Sequence, residues 1–132
     1  MTTTAAQAPG PETEQMLREV LDRVADKWTL VVLDALETGG ELRFTRIREA
    51  VGDISQKMLT KTLRQLERDG LVIRTVHPVV PPHVDYVLTP LGLSLAEAVC
   101  GIWKWVDTHV TDVQRARHAF DAASARGGRD RG

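Results

Sequence analysis

Apolar residues along the chain fall into helical spacing in five places and strand spacing in two. From about Glu12, the residues Leu17, Val20, Leu21 and Val24 recur at steps of three and four, which lays one apolar stripe along a first helix. A second helix is predicted from about Trp28, with Leu30, Val31, Leu33 and Leu36 on most of its sides, so it belongs at the centre of the domain; Gly39 and Gly40 stop it. A short third helix is expected from Thr45 to Val51, capped by Thr45 and anchored by Phe44 and Ile47. Gly52-Asp53-Ile54 then makes a tight turn, Ser55 is placed to cap a fourth helix from Gln56 to Asp69, and Gly70 stands where that helix needs a left-handed residue to end.

The period then changes. Leu71 to His77 is apolar and β-branched with polar residues interspersed, and His83 to Leu88 carries a period-two signal, so both read as strands. Pro78-Val-Val-Pro-Pro82 between them is too rich in proline to pair and reads as a stiffened, projecting loop. Thr89 with Pro90 opens a long last helix, whose stripe of Leu95, Val99, Ile102, Val106, Val110 and Val113 calls for about 36 Å of helix if it runs some 24 residues. A helix of that length outreaches so small a domain, and its apolar face requires a partner. The predicted fold is mainly α with a small β wing, a winged helix-turn-helix over residues 12–123. Residues 1–11 and 124–132, poor in apolar side chains, read as a disordered lead and tail.

Charge changes the picture more than composition does. The chain has 132 residues, 42% hydrophobic and 27% charged, an ordinary balance for one soluble domain. No apolar run approaches the roughly 20 residues of a membrane span, and the start Met1-Thr-Thr-Thr lacks the form of a secretory signal, so a cytoplasmic location and no membrane partner are expected. The formal net charge is only −1, yet from Arg43 to His83 eight bases face four acids. That middle third is therefore at +4 and the rest at −5, a distribution suited to a polyanion-binding surface.

The bases concentrate on one helix. At 100° per residue, Leu59, Leu63 and Leu66 share the inner side of the fourth helix, while Lys57, Thr60, Lys61, Arg64 and Arg68 fall within about 100° on the other. A solvated surface face normally mixes acids among its bases; here Glu67 and Asp69 sit only at the far end. Lys57 lies in the first turn, against the helix dipole, a penalty that an incoming phosphate reverses. Ser55, Gln56, Lys57, Thr60 and Lys61 are thus the expected base readers in a major groove, and Arg64 and Arg68 the expected phosphate holders. Arg43 and Arg46 flank this face. Arg74, His77 and His83 are the wing's candidates for minor-groove or backbone contact, although a histidine beside a loop is as readily just exposed. No metal site is expected from His77 and His83, for want of further ligands. No catalytic set appears: there are no paired carboxylates in an apolar setting, no glycine-rich phosphate loop after a strand, and no Ser/His/Asp group.

The runs Asp26 to Leu30, Arg43 to Ile47, ISQKMLTKTLRQLERDGLVIRTV from Ile54 to Val76, and PPHVDYVLTPLG from Pro81 to Gly92 strongly resemble the HxlR-type transcriptional regulators, relatives of the MarR group. The resemblance extends from about Leu17 to Trp105. It implies a homodimer built on the terminal helices, with Leu17, Val20, Leu95, Val99, Ile102, Trp103, Val106 and Val110 at the interface. It also implies a two-fold double-stranded DNA operator and regulation of nearby genes, needs no cofactor, and leaves room for a small-molecule effector. Many members of the family carry a sensing cysteine just before the first helix. Here the stretch from Glu14 to Leu17 has none, and Cys100, in the last helix, is the chain's one cysteine.

Overall fold

The computed structural model describes residues 10–131, with side chains as far as residue 127; of the lead expected over residues 1–11, residues 1–9 lie outside the described residues and Pro11 already opens the first helix. The element order is α1 (Pro11–Ala25), α2 (Lys27–Gly39), β1 (Leu42–Arg43), α3 (Phe44–Val51), α4 (Gln56–Arg68), β2 (Val72–His77), β3 (His83–Leu88) and α5 (Pro90–Arg131). The chain divides into two compact units, Met1–Ala96 and Glu97–Gly132.

In the first unit, α2 forms the centre because its apolar residues cover more than one side. Val32, Leu33 and Leu36 are buried there against Ile47 of α3 and Leu59, Leu63 and Leu66 of α4, with Val72, Tyr86 and Leu88 contributed by the sheet. Asp26 starts α2 by accepting the Trp28 N–H at 2.9 Å. By contrast α1 has no buried residue: the stripe read from the sequence is present but faces outward, with Leu17, Val20 and Leu21 all exposed.

Two local features differ from the sequence reading. Leu42 and Arg43 form a strand, too short for any alternation to show, which pairs with β3 and makes the sheet three-stranded in the order β1-β3-β2. That strand moves the start of α3 to Phe44, with Arg43 in the capping position and no side-chain cap, so Thr45 lies inside the first turn and does not cap it.

The wing is antiparallel, in a register that runs from Val72 opposite Leu88 to His77 opposite His83. Its root is tied to the start of α5 by two hydrogen bonds, and a third caps the helix there. The Thr89 N–H donates to the Leu71 carbonyl at 3.0 Å, the Thr89 hydroxyl donates to the Gly70 carbonyl at 2.7 Å, and the Gly92 N–H donates back to the Thr89 hydroxyl at 2.9 Å. Gly92 is required there, because a Cβ at that position would run into the Leu71 carbonyl oxygen.

The second unit is the remainder of α5. The helix has 42 residues, not the two dozen that the apolar stripe suggested, and it continues through the stretch 124–131 expected to be a tail. The reason is local: beyond Val113 the stripe gives out, but Arg and Ala dominate and no proline intervenes, so intrinsic propensity extends the helix where burial no longer does. Ile102, Trp103, Val106 and Val110 are exposed along it. His109 stacks on Trp105, with ring centroids 4.6 Å apart.

Candidate nucleic-acid interface

Short-range rules place α4. Ser55 caps it by accepting the Met58 N–H at 3.0 Å, so its hydroxyl is committed to the helix and is less free to read a base than the sequence suggested. At the other end Gly70 takes a φ of +76°, its N–H reaches the Glu67 carbonyl at 3.0 Å, and the Leu71 N–H reaches that of Leu66 at 2.9 Å. This pair of bonds is the Schellman arrangement, which directs the chain straight into β2. Between these ends Leu59, Thr62, Leu63 and Leu66 are buried, the Thr62 hydroxyl donating to the Met58 carbonyl at 2.9 Å. Each buried leucine contributes about 1.5–3 kcal/mol, enough to fix which side faces out.

The outward side carries Gln56, Lys57, Thr60, Lys61, Arg64 and Arg68, all exposed. No acid occupies the first turn. Among the described residues none of the four cations takes part in an ion pair. The acid nearest the helix end, Asp69, is held by Arg23 of α1 at 2.8 Å. The face therefore presents positive charge together with the free N–H groups of the first turn, an arrangement that attracts phosphate.

Two clefts lie between α4 and the sheet. The larger, about 470 Å³, is lined by Arg43, Phe44, Thr45, Gln56, Thr60, Pro82, His83, Val84 and Tyr86, with no carboxylate among them. The smaller, about 260 Å³, is lined by Thr60, Arg64, Glu67, Arg74 and Tyr86. Thr60 and Tyr86 belong to both, so the two form one concave strip. It brings together Arg43, Gln56, Thr60, Arg64, Arg74 and His83 from four elements, β1, α4, β2 and β3.

The remaining predicted residues lie elsewhere. Lys57, Lys61 and Arg68 stand on the exposed face of α4 outside the clefts. Arg46 lines a different cleft, between α2 and α3, and pairs with Glu49 at 3.7 Å. His77 turns to Asp85. Thr45 joins the strip although the sequence reading gave it a capping role; only the unforeseen strand β1, which shifts the start of α3, reveals its position. Of the expected interface residues, Leu95 packs against the core of the first unit and Val99 is buried, whereas Leu17, Val20, Ile102, Trp103, Val106 and Val110 are exposed. Cys100 is half-buried.

Residues 23–114 match the model of the HxlR-like helix-turn-helix family. The chain belongs to that family. Over 100 residues it is 42% identical to the HTH-type transcriptional regulator YtfH of Escherichia coli strain K12, covering 76% of this chain and 79% of that one. A solved YtfH structure from Salmonella typhimurium superposes with a TM-score of 0.68 at 38% identity, covering 84% of this chain and 99% of the other. The reduced form of the regulator YodB from B. subtilis gives 0.64 at 31% identity, with 76% and 93% covered. This HxlR-like chain is thus a transcriptional regulator and not an enzyme, built on the winged helix-turn-helix plan. Among its described residues no helix is long and apolar enough to cross a membrane.

Proposed function

We infer that this regulator binds double-stranded DNA sequence-specifically as a homodimer, with α4 of each protomer in a major groove and the β2–β3 hairpin as a wing beside it. The observation that carries the reading is the outer face of α4, where Lys57, Lys61, Arg64 and Arg68 are exposed together and, among the described residues, without ion-pair partners. A single helix fits the major groove, and residues toward its N-terminus reach the base edges. Gln56, Lys57, Thr60 and Lys61 are placed for that role. Arg64 and Arg68, further along, are placed for phosphates, and Arg43, Arg74 and His83 border the same strip from the sheet.

The dimer rests on a second observation. Exposed apolar side chains recur on α1 (Met16, Leu17, Leu21) and on α5 (Ile102, Trp103, Val106, Val110). Each is a run of apolar side chains that one chain leaves in water, the kind of surface that marks an interaction site. Burying them between two copies makes the operator two-fold, with half-sites about one helical turn or a small multiple apart.

The test is operator binding by the double variant Lys57→Ala/Lys61→Ala, measured by fluorescence anisotropy on a fragment defined by footprinting the DNA beside the protein's own gene. The variant should lose discrimination between operator and unrelated DNA while remaining a folded dimer by circular dichroism and sedimentation. Retained discrimination would refute the role given to α4.

A further inference from the structure

The wing holds a cluster of side chains of which only His83 borders the strip proposed for DNA. His77 and His83 are the last opposed pair of the β2–β3 ladder, immediately flanking the loop of residues 78–82. Asp85 follows two residues after His83 and so lies on the same face of the sheet, the face opposite to buried Val72, Tyr86 and Leu88. Both imidazoles turn Nε2 to one oxygen of this carboxylate, Asp85 Oδ2, at 3.0 Å from His77 and 3.8 Å from His83. The rings stack, with centroids 4.7 Å apart and planes at 24°. One ligand-type atom from each of the three residues lies within 4.8 Å of the other two.

The hydrogen bonding in the cluster is incomplete. His77 Nε2 is buried and approaches Asp85 Oδ2 without the alignment of a hydrogen bond, and Asp85 Oδ1 is also buried; among the described residues neither atom has a hydrogen-bond partner. Buried polar atoms are almost always satisfied, and two orphans side by side on facing groups need a cause. A cation held by His77 Nε2 and the Asp85 carboxylate gives both groups a partner. A tetrahedral zinc ion with bonds near 2.0–2.2 Å holds its ligands about 3.4 Å apart, and the two imidazole Nε2 atoms lie 3.0 and 3.8 Å from Asp85 Oδ2, on either side of that spacing.

The geometry points to a divalent transition-metal site formed by His77, His83 and Asp85 on the wing. Two imidazoles and one carboxylate, without a thiolate, suit Zn²⁺, Co²⁺ or Ni²⁺ better than Cu⁺, and better than Mg²⁺ or Ca²⁺, which prefer oxygen alone. Three protein ligands leave a fourth position open to water or another donor. Arg43, opposite Asp85 on β1, is the nearest cation in the register and lies on the same face; the Asp85 carboxylate stands between its strand and β2. The ion would clip the two strands together at the root of the proline-rich loop, which is closed there by one strand pair only.

The test is a titration of metal-free full-length protein with Co²⁺, whose visible spectrum reports coordination, and with Zn²⁺ by competition against a chromophoric chelator. One ion per chain should bind at micromolar or lower concentration. His77→Gln, His83→Gln and Asp85→Asn should each weaken binding by at least about tenfold, the scale reached on losing even an outer-shell partner. His109→Gln and His118→Gln should leave it unchanged. To cover a variant that fails to fold, the imidazole resonances of the unsubstituted protein are followed as Zn²⁺ is added, and those of His77 and His83 should move together. Absence of binding at 100-fold molar excess would overturn the site, as would binding indifferent to the three substitutions or resonance shifts confined to His109 and His118.

Discussion

Replacing Arg64 and Arg68 by alanine together isolates the electrostatic part of DNA binding. Both side chains are exposed on the outer face of α4 and, among the described residues, neither is in an ion pair. Their loss should cost the fold little. Alanine is the better helix former, while removing Arg68 forfeits about 0.3–1 kcal/mol of favourable interaction with the helix C-terminus; the sum stays near the ±0.5 kcal/mol expected of surface changes. DNA binding should respond much more. Each phosphate neutralised contributes about 0.9 to the slope of log K against log salt, so two arginines on each of two protomers account for about 3.6. Between 50 and 200 mM salt the variant's affinity should therefore fall about 150-fold less than that of the unsubstituted protein. Anisotropy titrations of the operator fragment across a KCl series measure both slopes. An unchanged slope, with the variant folded and dimeric, would refute the assignment of these arginines to phosphates.

Three further outcomes follow from the packing. Gly92→Ala drives a methyl group into the Leu71 carbonyl and should destabilise the first unit by about 1–3 kcal/mol, read by chemical denaturation. Leu63→Ala opens a cavity beneath the cation face, where Leu63 is 1% exposed, and should cost about 2.7–5 kcal/mol in the same assay, weakening DNA binding only in proportion to the unfolded fraction. Ile102→Glu combined with Val106→Glu puts charge on an exposed apolar stretch of α5 and should turn a dimer into a monomer by sedimentation velocity; an undisturbed dimer would place the interface elsewhere.

What the sequence revealed follows from the range of the forces involved. The body of α4 was legible nearly to the residue, because its cap, its apolar repeat and its terminal glycine are all encoded within 16 positions from Ser55 to Gly70. The wing strands were legible for the same reason. Strand β1 was not, since two residues carry no period and Leu42 and Arg43 pair with Tyr86 and Asp85, more than 40 positions away. With β1 went the true place of Thr45, and with the β2–β3 register went the part played by Asp85. Spacing along the chain shows His77 and His83 flanking a loop, but only the pairing of strands sets a carboxylate beside both. The full length of α5 escaped because the reading followed the apolar stripe, and the stripe ends well before the helix does.

The claim on which the rest depends is that α4 lies in the major groove. Dimethyl sulfate footprinting on the operator addresses it directly, because the reagent methylates guanine at N7 in the major groove and adenine at N3 in the minor groove, the two edges that a protein distinguishes there. Two patches of guanine protection are expected, related by two-fold symmetry and centred about one helical turn or a small multiple apart, and Lys57→Ala/Lys61→Ala should erase both. Protection confined to adenines, or guanine protection that survives the double substitution, would contradict the account.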